Sequence, residues 1–138
     1  MSISEAFRRV VVDTCIVKYG IEKTHIQAVG MIGLVLNHEV QAYANEDLFY
    51  EYRNILGRIA EPLYQEKIKM FLGEIYTVEP KQSLKLDKKI VEDLDDLRLI
   101  EAALCCDGVI VTCDHHLLDA KEKLQKIGIK VLHPRSYV

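Results

Sequence analysis

The sequence predicts an α/β domain built on a mostly parallel sheet, and three observations carry that prediction. Short β-branched runs alternate with longer stretches of helical period along the chain. Val10-Val11-Val12 and Val109-Ile110-Val111 are continuously apolar, as strands buried on both faces are. Each of these runs is followed by a carboxylate, Asp13 after the first and Asp114, behind Thr112 and Cys113, after the second. Open α/β sheets collect functional groups just beyond the carboxyl ends of their strands. Two buried strands ending this way predict one site assembled from distant parts of the chain.

The 138 residues amount to one domain, residues 1–138, with a single core. Apolar residues make up 49%, against seven glycines and three prolines, which excludes a disordered chain. The longest apolar stretch, residues 26–36, contains Gln27 and is too short to span a bilayer. No basic region followed by an apolar stretch opens the chain, so no membrane association and a cytoplasmic location are expected. Cys15, Cys105, Cys106 and Cys113 fit that compartment as free thiols. A zinc site would need Cys105 or Cys106 with Cys113 and His115 or His116, and no Cys-x-x-Cys spacing supports it. The net charge of −3 does not advertise nucleic-acid binding. Basic residues still cluster at Arg53 and Arg58, over residues 81–89 and over residues 121–130. Solvated helix faces account for such clusters first, and a phosphate-tracking surface second.

Taken in order, the first strand covers residues 9–13, and a loop leads from it to Thr24, the expected N-cap of a helix to about Asn37. Ile26, Val29, Ile32, Val35 and Leu36 form its expected apolar face, and Gly30 and Gly33 offer a close approach, within the chain or to a second copy. Residues 40–43 alternate as a second strand. Asn45 then caps an amphipathic helix over residues 46–60 with the stripe Leu48, Tyr52, Ile55, Leu56 and Ile59. Glu51 falls on the rim of that stripe, where a carboxylate can face a cleft. Pro62 opens a helix to about Gly73, and residues 75–78 form a third strand. Residues 81–89 read as loop or ill-defined helix. The acids Asp93, Asp95 and Asp96 precede a helix carrying Leu99, Ile100, Ala103 and Leu104, and one of them is its cap. The Asp107-Gly108 turn leads to the fourth strand. A helix over residues 117–127 ends at Gly128 in the C′ position, and a fifth strand over residues 129–132 stops at Pro134.

Asp13, Glu51, Asp96 and Asp114 are thus the candidate site acids. Gathered in one pocket they repel one another and take up protons unless compensated. A divalent cation keeps them ionised, and an all-oxygen ligand set selects Mg²⁺ or Mn²⁺ over zinc. An acidic pocket holding such an ion suits phosphodiester hydrolysis. Thr112 would orient an Asp114 oxygen or a water of the ion's shell, or else is a strand residue with a locally satisfied hydroxyl. His115 and His116 would donate a proton or contact phosphate, with an exposed loop pair as the plainer alternative.

These residues resemble a known family. Residues 9–14 (Arg-Val-Val-Val-Asp-Thr), 51–56 (Glu-Tyr-Arg-Asn-Ile-Leu) with Arg58, Asp96 with Ala102-Ala103, and 111–114 (Val-Thr-Cys-Asp) look like a PIN domain. So do Leu117-Leu118 and residues 128–134 (Gly-Ile-Lys-Val-Leu-His-Pro). More narrowly, the chain is similar to the VapC-like toxin ribonucleases of toxin–antitoxin modules. The likeness covers nearly the whole chain in order, and its most specific part is the 18-residue step from Asp96 to Asp114. It implies a three-layer sandwich with a five-stranded sheet of order 3-2-1-4-5. It also implies Mg²⁺- or Mn²⁺-dependent cleavage of an RNA substrate, with Asp13, Glu51, Asp96 and Asp114 as metal ligands. Homodimers and inhibition by a cognate antitoxin are further implications. Two positions depart from the family pattern: Cys15 stands where asparagine is usual, and His116 where a further aspartate is frequent. These departures support a competing expectation, a PIN-like module that binds RNA or a protein and cleaves weakly or not at all. A phospho-acceptor regulatory domain is disfavoured, because Asp13 stands alone after the first strand and His133-Pro134 follow the last.

Overall fold

The structure, a computed structural model, describes residues 3–79 and 97–138. The expectations for residues 81–89 and for Asp93, Asp95 and Asp96 lie outside the described residues. Five strands form one parallel sheet: β1 (Arg9–Val12), β2 (Gln41–Ala44), β3 (Tyr76–Thr77), β4 (Val109–Val111) and β5 (Lys130–Leu132). Their order is β3-β2-β1-β4-β5, in a three-layer α/β arrangement. Among the described residues the helices are α1 (Thr14–Glu22), α2 (Ile26–Leu36), α3 (Glu46–Leu56), α4 (Pro62–Gly73), α5 (Leu97–Cys106), α6 (His115–Asp119) and α7 (Lys121–Gln125). None of them is long and apolar enough to cross a membrane.

The central strands are the two that the sequence marks as buried on both faces. Val10, Val11 and Val12 pair in register with Val109, Ile110 and Val111, and all six are buried. Parallel sheets need such cover on both faces because their crossover connections carry helices. The Asp107-Gly108 turn before β4 forms as expected. Asp107 takes the left-handed region at φ 54°, and a Cβ on Gly108 would stand 3.0 Å from the Arg9 carbonyl oxygen. Gly128, ahead of β5, is also left-handed at φ 88°.

Four element expectations need correction. The stretch between Asp13 and Thr24 is not a loop but the helix α1, which buries Ile16, Val17, Gly20 and Ile21 and ends at the left-handed Lys23. The N-cap position of α2 is His25 rather than Thr24, and the helix turns Ala28, Met31, Ile32 and Val35 inward while Ile26 stays 88% exposed. A helix with apolar residues all round has no sequence-visible inner face, and here α1 decides it. Helix α3 ends at Leu56, short of residue 60, although Ile59 is still buried. The helix expected over residues 117–127 is two short ones, α6 and α7, that meet at Ala120.

The close approach expected at Gly30 and Gly33 occurs, within the chain, at Gly30 and not at Gly33, and a further one lies at Gly20. A Cβ on Gly20 of α1 would lie 2.3 Å from Ile32 Cγ1 and 2.7 Å from the Ala28 carbonyl oxygen of α2. A Cβ on Gly30 would lie 2.7 Å from Val138 Cγ1 of the same chain, and one on Gly33 would meet nothing within 4 Å.

Candidate functional site

In strand order 3-2-1-4-5, connections leave in opposite directions from the boundary between β1 and β4, and such a boundary opens a crevice at the carboxyl ends of the strands. The register carries on one step past both strands, with the Asp13 N–H donating to the Val111 carbonyl at 2.9 Å. Asp13 and Thr112 are thereby neighbours across 99 residues of sequence. The buried Thr112 hydroxyl donates to Asp13 Oδ2 at 2.7 Å and accepts from the Asp114 N–H at 2.9 Å. Its expected hold on an Asp114 carboxylate oxygen is therefore not what forms. It steadies the Asp13 carboxylate and the Asp114 backbone, because the pairing of β1 with β4 sets Asp13 beside it and the turn after β4 brings the Asp114 N–H back to it.

Asp114 occupies the N-cap position of α6, its Oδ1 accepting from the His116 N–H at 2.9 Å. His115 and His116 belong to the first turn of that helix and are exposed. Glu51 lies on the cleft-facing rim of α3 as expected, and Arg98 Nη1 reaches its Oε2 at 2.8 Å. The acids Asp13, Glu51 and Asp114, with Cys15, Lys18 and Tyr19, line one open cleft of about 420 Å³. Asp96 lies outside the described residues.

Burial raises the Asp13 pKa above the ordinary carboxylate range; the Thr112 hydroxyl and the Thr14 amide oppose the rise, and the Asp114 and Glu51 charges add to it. Asp13 thus lies within electrostatic reach of both other acids. Burial pushes the Cys15 thiol up to about 12, with Asp13 as the next cause, and burial raises Cys113 too. Neither sulfur is a ready thiolate at neutral pH, so the donors on offer are carboxylate oxygens, which fit Mg²⁺ or Mn²⁺ rather than a soft ion. Among the described residues, no three His, Cys, Asp or Glu side chains gather closely enough to hold one ion as they stand. Glu51 is paired with Arg98.

Three supporting side chains were not singled out by sequence. Tyr52 reads as one residue of an apolar stripe, yet its buried hydroxyl donates to the Val12 carbonyl and fixes α3 to the end of β1, one residue from Asp13. Asn45, read only as a cap through Leu48, also donates from Nδ2 to the Arg98 carbonyl at 3.0 Å. It thereby seats the start of α5 beside α3. Arg98 carries no signal in sequence beyond its place in an acidic helix start. Comparison with models of protein families and with curated proteins gives no match for this chain.

Proposed function

We propose that the chain is a divalent-metal-dependent endoribonuclease of the PIN type, the toxin half of a toxin–antitoxin pair. The observation that carries this reading is the shared cleft: acids from the end of β1, from α3 and from the end of β4 line it together at the sheet's switch point. The resemblance in sequence order adds the substrate class, RNA, and the partners, an antitoxin and a second copy of the chain. Asp13, Glu51 and Asp114, with Asp96, would hold Mg²⁺ or Mn²⁺. When bound, such an ion supplies the charge that keeps the acids ionised, polarises the phosphate and lowers the pKa of water. Thr112 keeps the Asp13 carboxylate aimed at the cleft, and the Tyr52 tether holds Glu51 at a fixed height beside it. Hydrolysis joins a water oxygen to phosphorus, breaks one P–O ester bond and leaves a proton on the departing oxygen.

A non-cleaving module is the second reading, and the Arg98–Glu51 ion pair favours it, since a guanidinium on Glu51 competes with a cation. Incubating a labelled single-stranded RNA with purified protein and rising Mn²⁺ separates the two. The nuclease reading expects cleavage that drops at least about 100-fold in Asp13→Asn and in Asp114→Asn, about the loss seen when a single group stabilising the transition state is removed. Uncut RNA at every Mn²⁺ concentration would leave the binding module in its place, and cleavage undiminished in both variants would mean these acids are not the site.

A further inference from the structure

The acid cleft does not end at the acids. A second concavity, of about 250 Å³, adjoins it and shares two lining residues with it, Lys18 of α1 and Ile55 of α3. Arg58 and Ile59 line its far part. Helices α1 and α3 pack directly on each other, so the groove between them is a surface furrow closed at its bottom by their packed side chains. Both helices start at the carboxyl end of the sheet, at Asp13 and Asn45, and run away from it. From Glu51 to Leu56, the end of α3, the groove therefore descends about 7–8 Å at helical rise, and Arg58 lies two residues further on.

Acids dominate its mouth, and charges of both signs line the rest. The mouth holds Asp13, Glu51 and Asp114; the junction holds Lys18; the far part holds Arg58. Two carboxylates border the far part as well, Glu22 and Glu61. Lys18 Nζ stands 3.9 Å from Glu22 Oε1, with the lysine side chain 49% and the glutamate side chain 30% exposed. An exposed pair at that distance is weak, so the ammonium can turn to another anion. Among the described residues, no carboxylate lies within ion-pair distance of Arg58. The floor between the cations is apolar, formed by Ile55 and Ile59.

We infer that the α1–α3 groove is the track for a single nucleic-acid strand, with Lys18 and Arg58 as its phosphate contacts leading away from the acids. This rests on the nuclease reading and adds where the rest of the substrate lies. Closed at its bottom by packed side chains, the groove can take the bases of one unpaired strand against Ile55 and Ile59, whereas a duplex keeps its bases paired and away from that floor. Point cations spaced along the slot meet successive phosphates and do not read sequence.

Binding of a labelled single-stranded RNA by the Asp13→Asn protein, measured by fluorescence anisotropy across a salt series, tests the track. Each phosphate contact removed reduces the slope of log K against log salt by about 0.7 for a single strand. Lys18→Gln and Arg58→Gln, each added to Asp13→Asn, are expected to lower the slope by that amount. Lys126→Gln, just before β5 and so at the opposite end of the sheet, controls for net charge and is expected to leave it unchanged. Melting temperature reports that each variant is folded. Unchanged slopes for Lys18→Gln and Arg58→Gln would overturn the track, and cleavage by the unsubstituted protein in Mn²⁺ would show that the nuclease reading survives it. Equal slope losses for Lys126→Gln, or a duplex bound as tightly as the single strand, would overturn it too. Absence of both RNA binding and Mn²⁺-dependent cleavage would remove the track and the nuclease reading together.

Discussion

Asp13 is held at a cost that its surroundings make legible. Desolvation favours the protonated carboxyl, and the charges of Asp114 and Glu51 push the same way. The unfolded chain has neither influence, so its Asp13 ionises first as pH rises. Between the ordinary carboxylate value and the raised folded value, the folded state binds more protons than the unfolded one, and stability falls with rising pH. Above the folded value the whole penalty is present. Asp13→Asn keeps an acceptor for Thr112 and removes the charge. It is therefore expected to melt higher than the unsubstituted protein at pH 7, with the gain fading as pH falls toward about 4. Thermal melting at several pH values, in chelator, checks this. A variant that melts lower at every pH would show that Asp13 stabilises the fold instead. The type of residue at position 13 was readable from sequence, as an acid stranded after a buried strand. Its link to Thr112 was not, because a hydrogen bond across 99 residues depends on which strands become neighbours.

Elements with a strong one-sided pattern were read closely, and elements without one were not. Asn45 and the stripe Leu48, Tyr52 and Leu56 placed the start of α3, its buried face and its capping bond as found, though not its end. The start of α1 is marked in sequence by an aspartate, a strong N-cap residue, but Asp13 also reads as a site acid after a strand, and its side chain makes no capping bond. The inward face of α2 was misjudged for a related reason: Ile26, Val29 and Leu36 compete with Ala28, Met31 and Ile32, and only contact with α1 chooses between them. Gly20 makes that contact close. Gly20→Ala would press a methyl against Ile32, whose side chain can turn, and against the Ala28 carbonyl, which cannot. The expected cost is about 1–3 kcal/mol, as for overpacking elsewhere, read as a lowered denaturant midpoint with little change in slope. No loss of stability would mean that α1 and α2 separate freely, and the groove wall formed by α1 would then be soft.

At the scale of the whole molecule, the site follows from strand order. Reversal of direction between β1 and β4 brings the ends of two strands together, and α3 contributes Glu51 from the side. Sequence supplied the parallel sheet from its buried strands, while the order came from the family resemblance and agrees with the sheet found. What composition and spacing had no access to was compensation: Arg98 on Glu51, Thr112 on Asp13, and the cations beyond the acids in the α1–α3 groove. Each is a contact between elements rather than a property of one.

That Asp13 and Asp114 share a hard divalent cation is the claim on which the rest stands. Crystals soaked in Mn²⁺ and measured for its anomalous scattering test it most directly. The expected result is a peak within ligand distance of both carboxylates, with Glu51 released from Arg98 to join them. A protein that binds no Mn²⁺ at millimolar concentration, or holds it away from residues 13 and 114, would contradict the account.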